Sequence, residues 1–149
     1  MPSCRKSRGN DPGDAPVVGK ITDEHRVLER LFARALALFA GEGPPLEARE
    51  AFEELKEALA SHLGAEDTLY FPTIWELRPE FKDRLRSFIR AHHHFRGLLE
   101  EITGLVDSDE REEATHLLGR LRHEFGRHEG SEEDTLRSLD QLILDDGAS

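Results

Sequence analysis

The stretch His62-Leu63-Gly64-Ala65-Glu66 places a histidine and a carboxylate four residues apart, in a segment whose apolar residues recur at helical spacing. Positions i and i+4 lie on the same face of an α-helix. That face continues in both directions in steps of three and four residues, through Phe52, Leu55, Leu59, His62, Glu66 and Leu69. Two strongly polar side chains therefore occupy positions where a buried helix face normally carries leucine. Because burying them unpaired is costly, they must pair with partners or bind something.

The helix that contains this stretch is predicted to run from about residue 46 to residue 70 and to stop near Pro72, since proline interrupts a helix. The preceding helix is predicted over residues 22–41, with Thr22 as its N-cap. Its apolar face also contains a histidine, His25. Both of the first two helices thus carry an imidazole on the side that should face the core.

A third helix is predicted to begin near Pro79, after a short connector over residues 71–78. Its apolar face includes only the first member of the His92-His93-His94 triplet. The other two are rotated by about 100° and 200° from that face. We therefore interpret His92 as inward-facing and its two neighbours as flank and surface residues.

The fourth helix is predicted to begin after a turn, with Asp109 and Glu112 at the spacing of a capping box. Its apolar face contains His128 and Glu132, which repeat the spacing found in the second helix. The first and third helices each carry one histidine at matching offsets from leucine and phenylalanine. This weak internal repeat predicts a bundle with pseudo-two-fold symmetry.

Four helices joined by short connections must pack with antiparallel neighbours. The sequence therefore predicts an all-α fold, an up-down-up-down four-helix bundle over residues 21–145. Residues 1–20 are rich in glycine, proline and basic residues and are predicted to form a disordered arm that includes the single cysteine, Cys4. We interpret this cysteine as a solvated thiol in a chain without a disulfide framework.

The charge balance is strongly acidic, with 20 Lys and Arg against 31 Asp and Glu and a formal net charge of −11. Such a surface repels phosphate groups, so neither nucleic acid nor an anionic membrane is expected as a partner. The chain shows no apolar run long enough to span a bilayer, and its first 20 residues lack the apolar region of a signal peptide. A cytoplasmic location is the expectation.

The polar residues that interrupt the four apolar faces form one set of candidate metal ligands. They are His25, His62, Glu66, His92, His128 and Glu132. Antiparallel packing can bring all six to one level of the core. Imidazole and carboxylate donors together suit iron, manganese or zinc, and such inward-facing pairs build di-metal sites in helical bundles.

These motifs resemble the hemerythrin-like, or HHE cation-binding, proteins over about residues 20–144. The resemblance lies in the Asp23-Glu24-His25 opening, the His62 to Glu66 stretch with the residues after it, the His92 helix, and His128-Glu129-Gly130-Ser131-Glu132-Glu133. It implies an antiparallel four-helix bundle with a non-haem di-iron centre, in which the glutamates bridge and the imidazoles are terminal ligands. Glu133 is an alternative to Glu132, and Tyr70 is a further candidate oxygen ligand.

Oxygen-carrying hemerythrins are similar but have a second histidine four residues from the first on the third helix, where this chain has Phe88 and Arg96 around His92. Fewer nitrogen ligands leave more open positions on iron, which favours reaction with an oxidant over reversible oxygen carriage. The leading hypothesis is a di-iron protein that binds or reacts with O2, H2O2 or NO, with peroxide decomposition as a candidate activity. The alternatives are an iron- or oxygen-sensing or storage module, a regulatory interaction module, and a zinc-binding structural bundle.

Overall fold

The computed structural model describes residues 15–41 and 43–148, with side chains described for residues 17–41 and 43–142. These residues form helices and short connections, without a β-strand in the described ranges. The elements are α1 (Ala15–Ala40), α2 (Pro45–Ala65), a π-helical turn (Glu66–Tyr70), α3 (Phe71–Leu77), a 3-10 turn (Pro79–Phe81), α4 (Lys82–Asp107) and α5 (Arg111–Ala148). The second helix, the π-helical turn and α3 follow one another without a break, so the molecule has four long helical segments.

The four segments form the predicted antiparallel bundle. Helix α1 packs against α2 and α5, and α4 packs against the same two helices from the other side. The fold class is therefore confirmed. No helix in the described part of the chain is both long and apolar enough to cross a lipid bilayer.

The first helix begins at Ala15, seven residues before the predicted N-cap. The Thr22 hydroxyl donates to the Val18 carbonyl at 3.2 Å, one helical turn back, instead of capping a helix end. Residues 15–20, which the sequence placed in the disordered arm, are thus helical. The rest of the predicted arm, with Cys4, lies outside the described residues.

The second helical segment does not stop at Pro72, and the predicted connector over residues 71–78 is mostly helix α3. Proline is accepted because it lies in the first turn of α3, directly after the π-helical turn. That turn holds one residue more than an α-helical turn, which shifts the buried face by one position. Tyr70 and Phe71 are consequently buried, whereas Leu69, which the sequence placed on the buried face, is 57% exposed.

The last helix begins at Arg111, so Asp109 lies before its N-cap position and the predicted capping box is not its start. Asp109 instead has a φ of 59°, in the left-handed region that aspartate tolerates better than most residues. Arg111 then joins the ends of two helices. Its guanidinium donates hydrogen bonds of 2.5–3.1 Å to the backbone carbonyls of Leu38, Phe39, Gly41 and Gly43. The bonds to Leu38 and Phe39 satisfy carbonyls in the last turn of α1, and those to Gly41 and Gly43 hold the connection that follows it.

The buried apolar residues form two separate clusters along the bundle. The large cluster has nineteen buried residues and fills the half that contains the α1–α2 and α4–α5 connections. The small cluster has eight and fills the opposite half; its members are Ile21, Tyr70, Phe71, Ile74, Leu85, Phe88, Leu136 and Leu139. On every long segment the polar residues predicted to face inward lie between the stretches that enter the two clusters.

Candidate metal centre

The six candidate ligands meet in the layer between the two apolar clusters. Each long helical segment contributes one histidine, and the second and fourth also contribute a glutamate one turn later. All are buried or nearly so, with side-chain exposures of 0–4% for five of them and 8% for His128. The structure therefore brings together every residue that the sequence singled out as a ligand.

One half of the centre is formed by His25 from α1 and His62 from α2. Their rings meet edge to face, with centroids 5.0 Å apart. The Nε2 atom of His25 lies 3.2 Å from Oε1 of Glu132 and 3.8 Å from Oε2 of Glu66. The Nε2 atom of His62 lies 3.2 Å from the same Oε2 atom.

The other half is formed by His92 from α4 and His128 from α5, whose rings meet edge to face with centroids 5.1 Å apart. The Nε2 atom of His92 lies 3.2 Å from Oε1 of Glu66 and 3.4 Å from Oε2 of Glu132. The Nε2 atom of His128 lies 2.6 Å from that Oε2 atom. The two halves are thus related by an approximate two-fold axis.

Each of the two central carboxylates faces both halves. Glu66 directs Oε2 to the first histidine pair and Oε1 to His92, whereas Glu132 directs Oε1 to His25 and Oε2 to the second pair. Two ligands at about 2.1 Å from one metal ion and at right angles are about 3 Å apart, close to these separations. Two groups of donors, His25, His62, Glu66 and Glu132, and His92, His128 and Glu132, are each compact enough to hold an ion.

Most of the inward-facing atoms have no hydrogen-bond partner in the described residues. The unpartnered buried atoms on the candidate ligands are Nε2 of His25, His62 and His128, both carboxylate oxygens of Glu66, and Oε1 of Glu132. Buried polar atoms in folded proteins normally have a partner, and a group of them aimed at one place indicates an ion. The residues present therefore fit metal ions.

In the metal-free centre, the buried carboxylates stabilise the protonated form of three imidazoles, those of His25, His62 and His92. Desolvation alone would lower the pKa of His25, but the adjacent carboxylates of Glu132 and Glu66 outweigh it and raise that pKa to about 11. The same competition raises the pKa of His92 to about 10 and raises that of His62. Desolvation would raise the pKa of Glu132, but the adjacent imidazoles of His128, His25 and His92 outweigh it and hold that pKa well below its usual value. A metal ion would have to displace protons from these imidazoles.

Three of the four histidines have a second carboxylate behind them, on the Nδ1 atom that faces away from the centre. Nδ1 of His25 lies 2.9 Å from Glu133, Nδ1 of His62 lies 2.7 Å from Glu24, and Nδ1 of His92 lies 2.7 Å from Asp67. The sequence motifs contained all three acids, but the sequence analysis gave Glu24 and Asp67 no role as partners of the histidines and considered Glu133 only as an alternative to Glu132. Their adjacency to a ligand, one position away in each helix, was the available signal.

These outer carboxylates have partners of their own. The Tyr70 hydroxyl donates to Glu24 at 2.8 Å, and the Arg96 guanidinium donates to Asp67 at 2.5 Å. Burial, followed by the effect of Glu24, raises the pKa of Tyr70 to about 12. In this geometry Tyr70 contacts the centre through Glu24, and Glu133 contacts it through the outer nitrogen of His25. Neither belongs to the two compact donor groups.

Sequence reasoning also passed over Glu129, which follows His128 in α5. Its Oε2 atom is buried, has no hydrogen-bond partner among the described residues, and lies 3.8 Å from Nε2 of His25. Desolvation is the largest influence on this carboxyl, and together with the nearby Glu132 it raises the pKa to about 8 against the opposing effect of His25. No apolar stripe marks this residue, so the sequence pattern offered no signal for it.

Phenylalanine rings surround the histidines on both sides of the layer. Phe125 lies within 6.2–6.4 Å of the rings of His25, His62 and His128, and Phe88 lies 5.4 Å from His128. Phe71 stacks on His92 at 6.2 Å. This shell surrounds the candidate ligands with apolar side chains. The remaining histidines of the predicted third and fourth helices, His93, His94, His116 and His123, are exposed, as expected.

Comparison with known proteins gives one match. The family model described as the hemerythrin HHE cation-binding domain matches residues 17–139. No curated protein and no solved structure matches the chain. The matched range contains all six candidate ligands and the outer carboxylates.

Proposed function

The chain belongs to the hemerythrin HHE cation-binding family, and on that premise we propose that it is a non-haem di-iron protein that binds or reacts with a small oxidant. The oxidant is O2, H2O2 or NO. The ligands of the two ions are His25 and His62 on one side and His92 and His128 on the other. Glu66 and Glu132 bridge them.

One observation carries this proposal. In each of the two fully buried carboxylates, Glu66 and Glu132, one oxygen faces the first histidine pair and the other oxygen faces the second pair. These oxygens lie 2.6–3.8 Å from the nearest imidazole nitrogens. A single ion would use one side of such an arrangement and leave the other side with buried polar atoms unpaired. Two ions satisfy both sides. The donor set of imidazoles and carboxylates suits iron and also accepts manganese or zinc.

When bound, two irons would supply a two-electron couple that one H2O2 could oxidise, forming two waters, and that a second H2O2 could reduce, forming O2 and returning the two protons and two electrons. Glu66 and Glu132 would hold the two ions next to each other. The carboxylates on the outer nitrogens of His25, His62 and His92 would keep these three imidazoles in the tautomer whose Nε2 lone pair faces inward. The surrounding rings keep bulk water away, which limits loss of the ions and shields the reaction.

The residue Phe88 bears on the choice among oxidants. It lies four residues before His92 and its ring packs against His128. Oxygen-carrying hemerythrins, which the motifs resemble, have a second histidine four residues from the first on the third helix, where this chain has Phe88 and Arg96. The second ion therefore has fewer nitrogen ligands and more positions open to an exogenous molecule. This favours reaction with peroxide over reversible carriage of oxygen, so peroxide is the first oxidant to test.

The experiment measures metal per chain by mass spectrometry on freshly purified protein, with a visible spectrum before and after addition of H2O2 and an electrode record of O2 release. The expected result is about two irons per chain, a near-ultraviolet band that responds to peroxide, and repeated O2 release. Iron that is oxidised only once would favour storage or sensing. Zinc alone, or no metal after reconstitution with iron, would favour the structural bundle and overturn the redox proposal.

Matched histidine variants connect the result to the centre. His62→Ala and His128→Ala should each lose metal, because each removes an inward nitrogen. His94→Ala removes an exposed imidazole that pairs with Glu124 on the surface, and it should keep its metal. Loss of metal from His94→Ala with retention in His128→Ala would contradict the proposed ligand set.

A further inference from the structure

Glu129 lies beside a ligand of one ion but faces the other. His128, its neighbour in α5, directs Nε2 toward the half formed with His92. The next residue in a helix is rotated by about 100°. That rotation carries the Glu129 carboxylate to the first half, where Oε2 lies 3.8 Å from Nε2 of His25, beside the compact donor group but not within it.

The two-fold symmetry of the centre supplies an internal comparison. The position related to Glu129 is the residue after His62, which is Leu63. Leu63 is fully buried in the large apolar cluster and offers no donor atom. The described residues therefore provide the first half with a carboxylate that the second half lacks.

The unpartnered state of this carboxylate also requires an explanation. Its Oε2 atom is buried and without a hydrogen-bond partner in the described part of the chain, in the same condition as the inward atoms of the candidate ligands. Leaving a buried carboxylate oxygen unpaired is costly. A metal ion between His25 and His62 would remove that cost.

The carboxylates on the outer imidazole nitrogens also favour tighter metal binding in the first half than in the second. Both His25 and His62 have a carboxylate on Nδ1, from Glu133 and Glu24. In the second half only His92 has one, and no described carboxylate lies within ion-pair distance of Nδ1 of His128. A carboxylate on the outer nitrogen makes an imidazole a stronger ligand.

From these observations we propose that Glu129 is a fifth protein ligand of the ion held by His25 and His62, so that this position fills first and binds its ion more tightly. The position of His92 and His128 then holds the weaker ion, with more coordination sites left for the exogenous oxidant. This inference rests on the proposed two-metal function. It adds that the position of His25 and His62 fills first and that the oxidant reacts at the position of His92 and His128.

The test is an anaerobic titration of the metal-free full chain with Mn2+. Calorimetry measures the binding steps, and electron paramagnetic resonance records the spectrum of the bound ions. Wild-type protein should bind two ions in two resolved steps. The first equivalent should give the six-line spectrum of an isolated ion, and the second should replace it with the spectrum of a coupled pair. Removing the carboxylate in Glu129→Gln should weaken the first step by about 10- to 100-fold and leave the second nearly unchanged.

Two controls separate ligation from a structural role. Asp134→Asn removes one exposed charge from the same helix and should leave both steps unchanged. Without metal, Glu129→Gln should be about as stable as wild type in thermal unfolding, because an amide of nearly the same shape replaces a buried side chain that has no hydrogen-bond partner among the described residues. Unchanged stability without metal together with weaker metal binding is not expected from a residue that only supports the fold.

The outcomes distinguish this inference from the proposed function. Two ions in wild type with both steps unchanged in Glu129→Gln, or with only the second step weakened, would overturn the role of Glu129 and leave the two-metal centre intact. A wild-type chain that binds one ion or none would overturn the two-metal centre itself, and that result is seen before any variant is made.

Discussion

A carboxylate on the outer nitrogen of an imidazole fixes which nitrogen carries the proton. Asp67 does this for His92 and is itself held by Arg96, whose guanidinium is partly exposed. The chain of three groups connects the buried centre with the surface through charge-assisted hydrogen bonds, which are stronger than neutral ones. Metal affinity should therefore depend on residues that do not touch the metal.

Replacement of Asp67 by asparagine tests this dependence. The variant keeps the shape of the side chain but removes the charge that orients His92, so metal affinity should fall by about 10- to 100-fold. Competition with a chelator of known affinity measures the change. Asp23→Asn removes an exposed carboxylate from α1 and serves as the control. Equal affinity of the two variants would show that Asp67 does not act on the centre.

The pKa shifts in the centre predict how the stability of the metal-free protein depends on pH. The folded-state pKa values of His25 and His92, about 11 and about 10, lie above the unfolded value of 6.5. Their contribution to stability is therefore full below pH 6.5 and is lost as the pH rises toward 10 and 11. Glu132 has a lowered pKa, so its contribution to stability is full above the unfolded pKa of 4.5 and is lost on further acidification.

Metal-free protein should accordingly have its highest midpoint of thermal unfolding between about pH 4.5 and 6.5, and a falling midpoint from there to pH 10. The raised pKa of Glu129 acts in the same direction as those of the histidines. In the metal-loaded protein the ions replace the protons, so the midpoint should not fall over this range. Circular dichroism of both forms provides the comparison, and a midpoint that rises from pH 6.5 to 10 without metal would contradict the shifts.

For individual residues, the apolar faces of the helices predicted which six side chains meet. A polar residue at the same helical spacing as the leucines must face the core. The outer carboxylates and Glu129 escaped prediction for a physical reason. They lie on the flanks of their helices, where the sequence pattern is the same for a surface residue and for one covered by a neighbouring helix. Only the packing of α1 against α2 and α5, and of the second helical segment against α4, decides between the two.

The π-helical turn is the one departure from regular helix within the second segment, and it begins at Glu66. The extra residue moves the buried face after the glutamate from the predicted Leu69 to Tyr70 and Phe71. Turns of this kind are frequent at functional sites. The apolar pattern did not reveal it, because Leu69, Tyr70 and Phe71 are adjacent and an unbroken helix would bury the first of them.

Two alanine variants distinguish the observed turn from the predicted continuous helix. Leu69→Ala should change the free energy of unfolding by less than about 0.5 kcal/mol, since this side chain is mostly exposed. Phe71→Ala should lower it by about 3–5 kcal/mol, since the ring is fully buried against Phe88 and His92. Denaturant unfolding of the metal-free protein measures both, and the reverse order of effects would favour the continuous helix.

The whole molecule consists of two apolar clusters with a polar layer between them. The large cluster contains buried residues from α1, α2, α4 and α5, whereas the small cluster has fewer than half as many buried residues. Metal ions in the layer connect all four helices at the boundary between the clusters. Because they bind only the folded state, they stabilise it by mass action.

Removal of the metal should therefore loosen the two ends of the bundle unequally. Amide hydrogen exchange should accelerate more in α3, which belongs to the small cluster, than in residues 48–59 of α2, which belong to the large one. Mass spectrometry of chelator-treated and metal-loaded protein measures the difference. Uniform acceleration along the second segment would contradict an independent role for the two clusters.

At this scale the sequence was most informative. Four apolar stripes of helical period, joined by short connections, leave little choice other than an antiparallel bundle, and the family resemblance of the motifs is confirmed over residues 17–139. The bounds of the elements were less predictable, as the early start of α1 and the helical course through Pro72 show. Tertiary packing overrides local signals such as a threonine or a proline, because either residue can also lie within a continuing helical segment.

The distribution of donors between the halves of the chain has a consequence for its ancestry. The first half supplies both imidazoles of one ion position and the second half supplies both of the other, while each lends one carboxylate to its counterpart. A chain of half this length, paired with its own copy, would build both positions by symmetry. Duplication and fusion of such a hairpin would account for the repeat, and would have freed the halves to diverge, with Leu63 retained apolar in one and Glu129 acidic in the other.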